Sequence, residues 1–170
     1  MVENGKRRMS NNTMVKIPKY YWEDFKAGEV HQLGEKRVEK EEMIVFAKQF
    51  DPQPFHVDEA AAKASMYGGL IASGWHTVAL VMRMRCDSYM LDSASLGSPG
   101  VENLKWLKPV RPGDTLRAQR TTLEVRASAS RPEMGLVKTR WEVFNQDGEP
   151  VMTMEGYGMF GRRKPGSPAK

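Results

Sequence analysis

Two alternating segments joined by Asp147-Gly148 commit the second half of this chain to antiparallel sheet. Leu136 to Asn145 places Val137, Thr139, Trp141 and Val143 at every second position, the period of a strand with one buried face. Asp147-Gly148 is a tight-turn dipeptide, and Val151 to Phe160 returns as the partner strand. Upstream, Val101 to Leu107 and Thr115 to Ala127 read as two more strands, separated by the turn Arg111-Pro112-Gly113-Asp114.

The first half reads differently. Tyr20 to Glu29 is a turn-like entry, and Val30 to Val38 is expected as a first strand. Glu39 to Phe50 carries Met43, Phe46, Ala47 and Phe50 at i, i+3, i+4 and i+7, an amphipathic helix. Asp51-Pro52-Gln53-Pro54 ends it, because proline disfavours helical geometry in the residue before it. Asp58 is the expected N-cap of a second short helix through Ala64. After Gly68-Gly69, Ser73 to Met90 is the longest helical candidate, apolar on more than one face through Met82 and therefore expected to be mostly buried. Helices, one long buried helix, then a meander: an α+β domain with an antiparallel sheet wrapped around a long central helix satisfies that order.

At 170 residues and 40% hydrophobic composition there is material for one core. We expect one domain at 20–161, flanked by flexible basic tails at 1–19 and 162–170. The tails hold Lys6, Arg7, Arg8, Arg162, Arg163, Lys164 and Lys170, most of the basic excess behind the net charge of +5. That placement, with no alternation of aromatic and basic residues, argues against a nucleic-acid binder. There is no apolar run of about eighteen residues and no signal-like apolar stretch near Met1, so no membrane association is expected. With the lone Cys86, which excludes an internal disulfide, these features point to the cytoplasm.

Two segments carry chemistry. In Asp51-Pro52-Gln53-Pro54-Phe55-His56 a pair of prolines stiffens the backbone between a carboxylate and an imidazole. Acid/base catalysis needs both groups held within reach of one substrate. Taken alone, the pair also fits turn capping beside a surface histidine, the commoner use of such residues. In Gly68-Gly69-Leu70-Ile71-Ala72-Ser73-Gly74, small residues precede the long helix and leave free N–H groups at its positive end. Such an end suits a developing enolate oxygen. A close-packed turn with Ser73 as N-cap accounts for the same residues.

Together, in this order and spacing, the two segments resemble the MaoC-like dehydratase family, which includes the (R)-specific enoyl-CoA hydratases. The family pattern runs Asp-x-x-Pro-x-His-x-Asp, an Ala-rich short helix, then a small residue or His before Gly at the start of the long helix. Here these are Asp51, Pro54, His56, Asp58, the segment Ala60 to Ala64, and Ser73-Gly74. The resemblance covers Tyr21 to Phe160. It implies a hot-dog fold and reversible addition of water to a trans-2-enoyl-CoA, giving the (R)-3-hydroxyacyl-CoA. It makes His56 and Asp51 the acid/base pair and the Gly74 N–H the donor to the thioester carbonyl. Ser73, Tyr67 and Met82 then flank the substrate. No metal or redox cofactor is implied; coenzyme A enters as part of the substrate, and a homodimer or higher homo-oligomer is the expected assembly. Three positions depart from the family pattern: Gln53 replaces the common Asn, Ser73 the usual His, and Met82 a serine found in some hydratases. They leave the pair intact and bear on acyl-chain preference.

Other residues have plainer readings. His76 is expected as a core histidine, His31 at the surface, Asp58 as a cap, and Lys105, Lys108 and Arg111 on a solvated edge. Met66 also flanks the proposed site. A thioesterase of the same fold is a rival function, although such enzymes commonly use a carboxylate without the Asp-x-x-Pro-x-His unit. A non-catalytic acyl-CoA-binding subunit is another.

Overall fold

The computed structural model describes residues 17–164. Its single sheet holds β1 (Val30–Arg37), β2 (Gly100–Trp106), β3 (Thr115–Ala127), β4 (Met134–Phe144) and β5 (Pro150–Gly161) in the order β1-β3-β4-β5-β2, each neighbour antiparallel. The turn at Asp147-Gly148 closes the β4–β5 hairpin, with Gly148 at φ +75°. That conformation favours glycine. Register then sets Val143 opposite both Ala118 and Met152, and Trp141 opposite Arg120 and Met154. As the alternation predicts, Val137, Thr139, Trp141 and Val143 all face inward and are buried.

The helices are α1 (Lys40–Phe50), α2 (Pro54–Val57), α3 (Glu59–Ala64) and α4 (Gly74–Ser88). The short α2, with Pro54 in its first turn, was not expected; proline there only surrenders an N–H that has no helical acceptor. Asp58 caps α3 by accepting from the Ala61 N–H at 2.7 Å. On α4, His76, Thr77, Leu80, Val81 and Met84 form the buried stripe, and the sheet curves around it with Val38, Leu116, Val137, Val143 and Met152 in the same core. None of the helices among the described residues is long and apolar enough to cross a membrane.

Several expectations need correction. The central helix is buried along one stripe, not nearly all round: Trp75 is 58% exposed and Met82 40% exposed. One chain's sheet covers only one side of a helix, and the apolar residues on the other side stay outside. Phe50 ends α1 as the chain turns at Pro52, and is exposed rather than part of the buried stripe. The domain also continues past Gly161. The guanidinium of Arg162 lies 4.7 Å from the Trp22 ring and is buried, and Arg163 clamps Asp24 through two hydrogen bonds of 2.8 and 2.7 Å. Lys19 is likewise tied in, its N–H donating to the Asp92 carbonyl. The remaining tail residues, 1–16 and 165–170, lie outside the described residues.

Candidate active site

Asp51 is the residue at which α1 stops. Its backbone leaves the helix at φ −152° and ψ 67°, an opening that the following proline enforces. Its N–H still donates to the Ala47 carbonyl at 2.8 Å, so the carboxylate projects from a fixed point. Five residues on, His56 lies in α2 and is buried. Its Nδ1 donates to the Ile71 carbonyl at 2.8 Å. A carbonyl only accepts, so Nδ1 carries a proton and Nε2 is the ring nitrogen turned to the carboxylate. That Nε2 lies 3.4 Å from Asp51 Oδ2.

Each carboxylate oxygen accepts one hydrogen bond. Ser73 Oγ, fully buried, donates to Asp51 Oδ2 at 2.7 Å, and the Gln53 amide donates to Oδ1 at 2.8 Å. The Ser73 hydroxyl, ahead of the Gln53 amide and the neighbouring His56, holds Asp51 below the ordinary carboxylate range, against the opposing effect of burial. The same Ser73 Oγ accepts from the Trp75 N–H at 3.2 Å and caps α4. One hydroxyl therefore starts the helix and orients the carboxylate, so the capping and functional readings of Ser73 are both true of it.

The pair opens on a cavity of about 420 Å³ whose walls include Phe55, Tyr67, Ile71, Gly74, Trp106 and Lys108. Gly74 is the first residue of α4, so its N–H has no acceptor within the helix. The absence of a side chain has a second cause: a Cβ there would stand 2.4 Å from the Trp106 ring, whose Nε1–H donates to the Gly74 carbonyl at 3.0 Å. Trp106 packs edge-on against Trp75 with centroids 5.5 Å apart. The site thus combines an apolar wall, a carboxylate, a basic imidazole nitrogen and a helix N-terminus.

Of the residues anticipated, Asp51, His56, Ser73, Gly74 and Tyr67 come together here. Met82 does not line the cavity; it lies two turns along α4 on the outer face, and Met66 is 92% exposed. Lys108 is on the cavity wall but paired with Glu149, and Arg111 donates to the Tyr67 carbonyl at 2.7 Å. Lys105 is elsewhere on β2. His76 is in the core as read, 4.9 Å from the Phe46 ring, but its Nδ1 is buried without a partner. Burial, the largest influence, lowers its pKa. Sequence reasoning missed Trp106 and the orienting role of Gln53. Gln53 was visible as the nearest amide to Asp51; nothing local points from Trp106 to a glycine more than thirty residues earlier.

A curved sheet closed on one helix, with a carboxylate and an imidazole converging at that helix's N-terminus, is the arrangement of a hot-dog protein. More narrowly, the chain belongs to the MaoC-like domain family, whose pattern matches residues 25–143. Its fold superposes on a MaoC-like dehydratase of Rhodospirillum rubrum with a TM-score of 0.78, at 40% identity, covering 85% of this chain and 99% of that one. The uncharacterized protein YdeM of Bacillus subtilis is 28% identical over 134 residues, 79% of this chain and 92% of that protein. A mesaconyl-CoA hydratase of Cereibacter sphaeroides is 40% identical over 65 residues, 38% of this chain and only 19% of the hydratase.

Proposed function

We propose that the protein is a hydratase/dehydratase that adds water reversibly to a trans-2-enoyl-CoA, giving the (R)-3-hydroxyacyl-CoA. The observation that carries this reading is the placement of Asp51 Oδ2 and His56 Nε2, 3.4 Å apart, on the wall of a cavity that also contains the Gly74 helix terminus. A water held between the two groups loses a proton to the pair as its oxygen bonds to C3. The C2=C3 electrons move toward the thioester, and the Gly74 N–H stabilises the enolate oxygen that forms. The proton then returns to C2, so one water is consumed and the pair is regenerated. Asp51, held as a carboxylate by Ser73, is suited to accept; His56, protonated on Nδ1, is suited to receive or hand on a proton at Nε2. Kinship with a family of dehydratases supports the reading, as does the partial match to a mesaconyl-CoA hydratase.

The protein acts, on this reading, as a homodimer or higher homo-oligomer. The β2 edge of the sheet exposes Val101, Trp106 and Leu107, apolar residues that a second copy would cover.

The test follows enoyl-thioester absorbance with a panel of trans-2-enoyl-CoAs of short to medium chain length, with a thiol reagent run in parallel. Loss of absorbance without free thiol supports hydration. Free thiol would establish the thioesterase instead, and binding without turnover, indifferent to His56→Ala, would establish a binding subunit.

A further inference from the structure

At the other end of α4 a second cavity, of about 290 Å³, is lined by Lys19, Tyr20, Phe25, Gln32, Tyr89 and Arg120, with Asp24, His31 and Ser88 completing the wall. Arg120 projects from the inner face of β3 and is only 9% exposed. Its guanidinium lies 5.2 Å from the Phe25 ring and 4.8 Å from the Tyr89 ring, and Nη1 donates to Thr122 Oγ1 at 3.2 Å. It has no carboxylate partner among the described residues. Nor is it among the polar groups sealed away without a partner, so its remaining N–H groups keep contact with the cavity.

A buried cation without a counter-charge is costly, and proteins ordinarily pair it. Tyr89, Glu29 and Tyr20 offset this charge in part without a bond to it; Arg85, stacked 3.9 Å from the Trp141 ring, repels Arg120, and Lys19 stands at the cavity wall. The carboxylates nearby are occupied: Asp24 is clamped by Arg163, and Glu29 meets His31 at 3.2 Å. Burial, the largest influence, lowers the pKa of Arg120. Tyr89, which also lines this cavity, is 7% exposed, and its hydroxyl has no hydrogen-bond partner among the described residues. Two side chains more than nine-tenths buried thus offer unused donors to one space with aromatic walls.

We infer that this cavity is a second ligand site, separate from the Asp51/His56 site, which takes the carboxylate of a small organic acid. The Arg120 fork and the Tyr89 hydroxyl hold the carboxylate, as planar donors suit two oxygens in one plane. Phe25 and Tyr20 receive the organic body, and Lys19 supplies further positive charge at the wall. The inference does not depend on what reaction occurs at the other end of the helix.

Benzoate, a carboxylate on a flat apolar body, is the probe. Calorimetric titration of the full chain with benzoate is expected to give saturable binding that Arg120→Met weakens by about tenfold or more, since a charge-assisted contact is lost. Tyr89→Phe, which keeps the ring, is expected to weaken it severalfold, and His56→Ala is expected to leave it unchanged. Circular dichroism checks that each variant is folded, and the milder Tyr89→Phe keeps the test decisive if Arg120→Met is not. Benzoate affinity indifferent to both substitutions, or no binding at millimolar concentration, would overturn the site. Inorganic phosphate binding in an Arg120-dependent manner where benzoate does not would overturn the carboxylate assignment. If the guanidinium serves only to stack between Phe25 and Tyr89, no anion should raise the melting temperature through Arg120.

Discussion

The two ends of α4, about 20 Å apart at 1.5 Å per residue, solve the same problem in opposite ways. At the N-terminal end the charged group is Asp51, and its oxygens are met by Ser73, Gln53 and the nearby His56. At the C-terminal end the charged group is Arg120, with a single hydrogen bond and two aromatic faces. The first arrangement is preorganised: the donors already in place hold a carboxylate in a fixed orientation. The second leaves donors unspent. On the two proposals made above, the satisfied charge belongs to the reaction site and the one lacking a counter-charge to the second ligand site.

The largest test of this contrast is the removal of a proton-transfer group. Asp51→Asn and His56→Ala are each expected to lower kcat by at least about 10²–10⁴-fold in the enoyl-CoA assay, with the melting temperature little changed. Near-normal rates in both would dismiss the N-terminal end as a reaction centre.

Gly74→Ala comes next. Its new Cβ meets the Trp106 ring, so either the indole moves or α4 shifts, at a cost of about 1–3 kcal/mol by denaturant titration and with loss of turnover. If Gly74→Ala is as stable as the parent, Trp106 is not held over the helix start.

Ser73→Ala separates positioning from folding. It removes a cap and the main influence holding Asp51 low, so about 1 kcal/mol of stability is expected to go. The acid limb of the pH–rate profile should move to higher pH, as Asp51 takes up a proton more readily. Because the folded carboxyl is depressed, its contribution to stability is present above the unfolded value of 3.8 and is lost as pH falls through the folded value. Ser73→Thr, which keeps a hydroxyl, should restore the profile; a purely structural Ser73 would leave the acid limb in place.

Smaller again is Arg120→Met, expected to change stability by no more than about 1 kcal/mol, because relief from burying a lone charge offsets the lost aromatic contact. A large destabilisation would show that Arg120 is a structural pillar, and the contrast between the two ends would fail.

The smallest effect is that of His76. Burial lowers its pKa from 6.5, so the unfolded chain binds a proton that the fold refuses. Stability should be full above pH 6.5 and decline as pH falls from there toward the folded value. His76→Phe should flatten that slope in urea melts taken between pH 5 and 8.

Some of this was legible from residue order alone. The alternation of Val137 to Val143 and the turn at Asp147-Gly148 specify a hairpin, because a strand's period and a glycine's positive φ are local properties. The break after Phe50, the Asp58 cap and the start of α4 at Ser73 likewise depend on neighbours within four residues. The Asp51/His56 pair was legible for a related reason: with so few residues between them, and prolines at two of those, the groups have little freedom to part.

What only the tertiary structure decided are the contacts made over long stretches of chain. Ser73 reaches Asp51 across 22 positions, and the Trp106 indole reaches Gly74 across 32. Arg120 looks, in sequence, like any other charged residue in an alternating strand; only the closing of the sheet around α4 turned it inward without a carboxylate. The physical reason is that periodicity and turn chemistry select the elements, whereas packing selects which faces meet. A residue's ionic partner, or its lack of one, belongs to the faces.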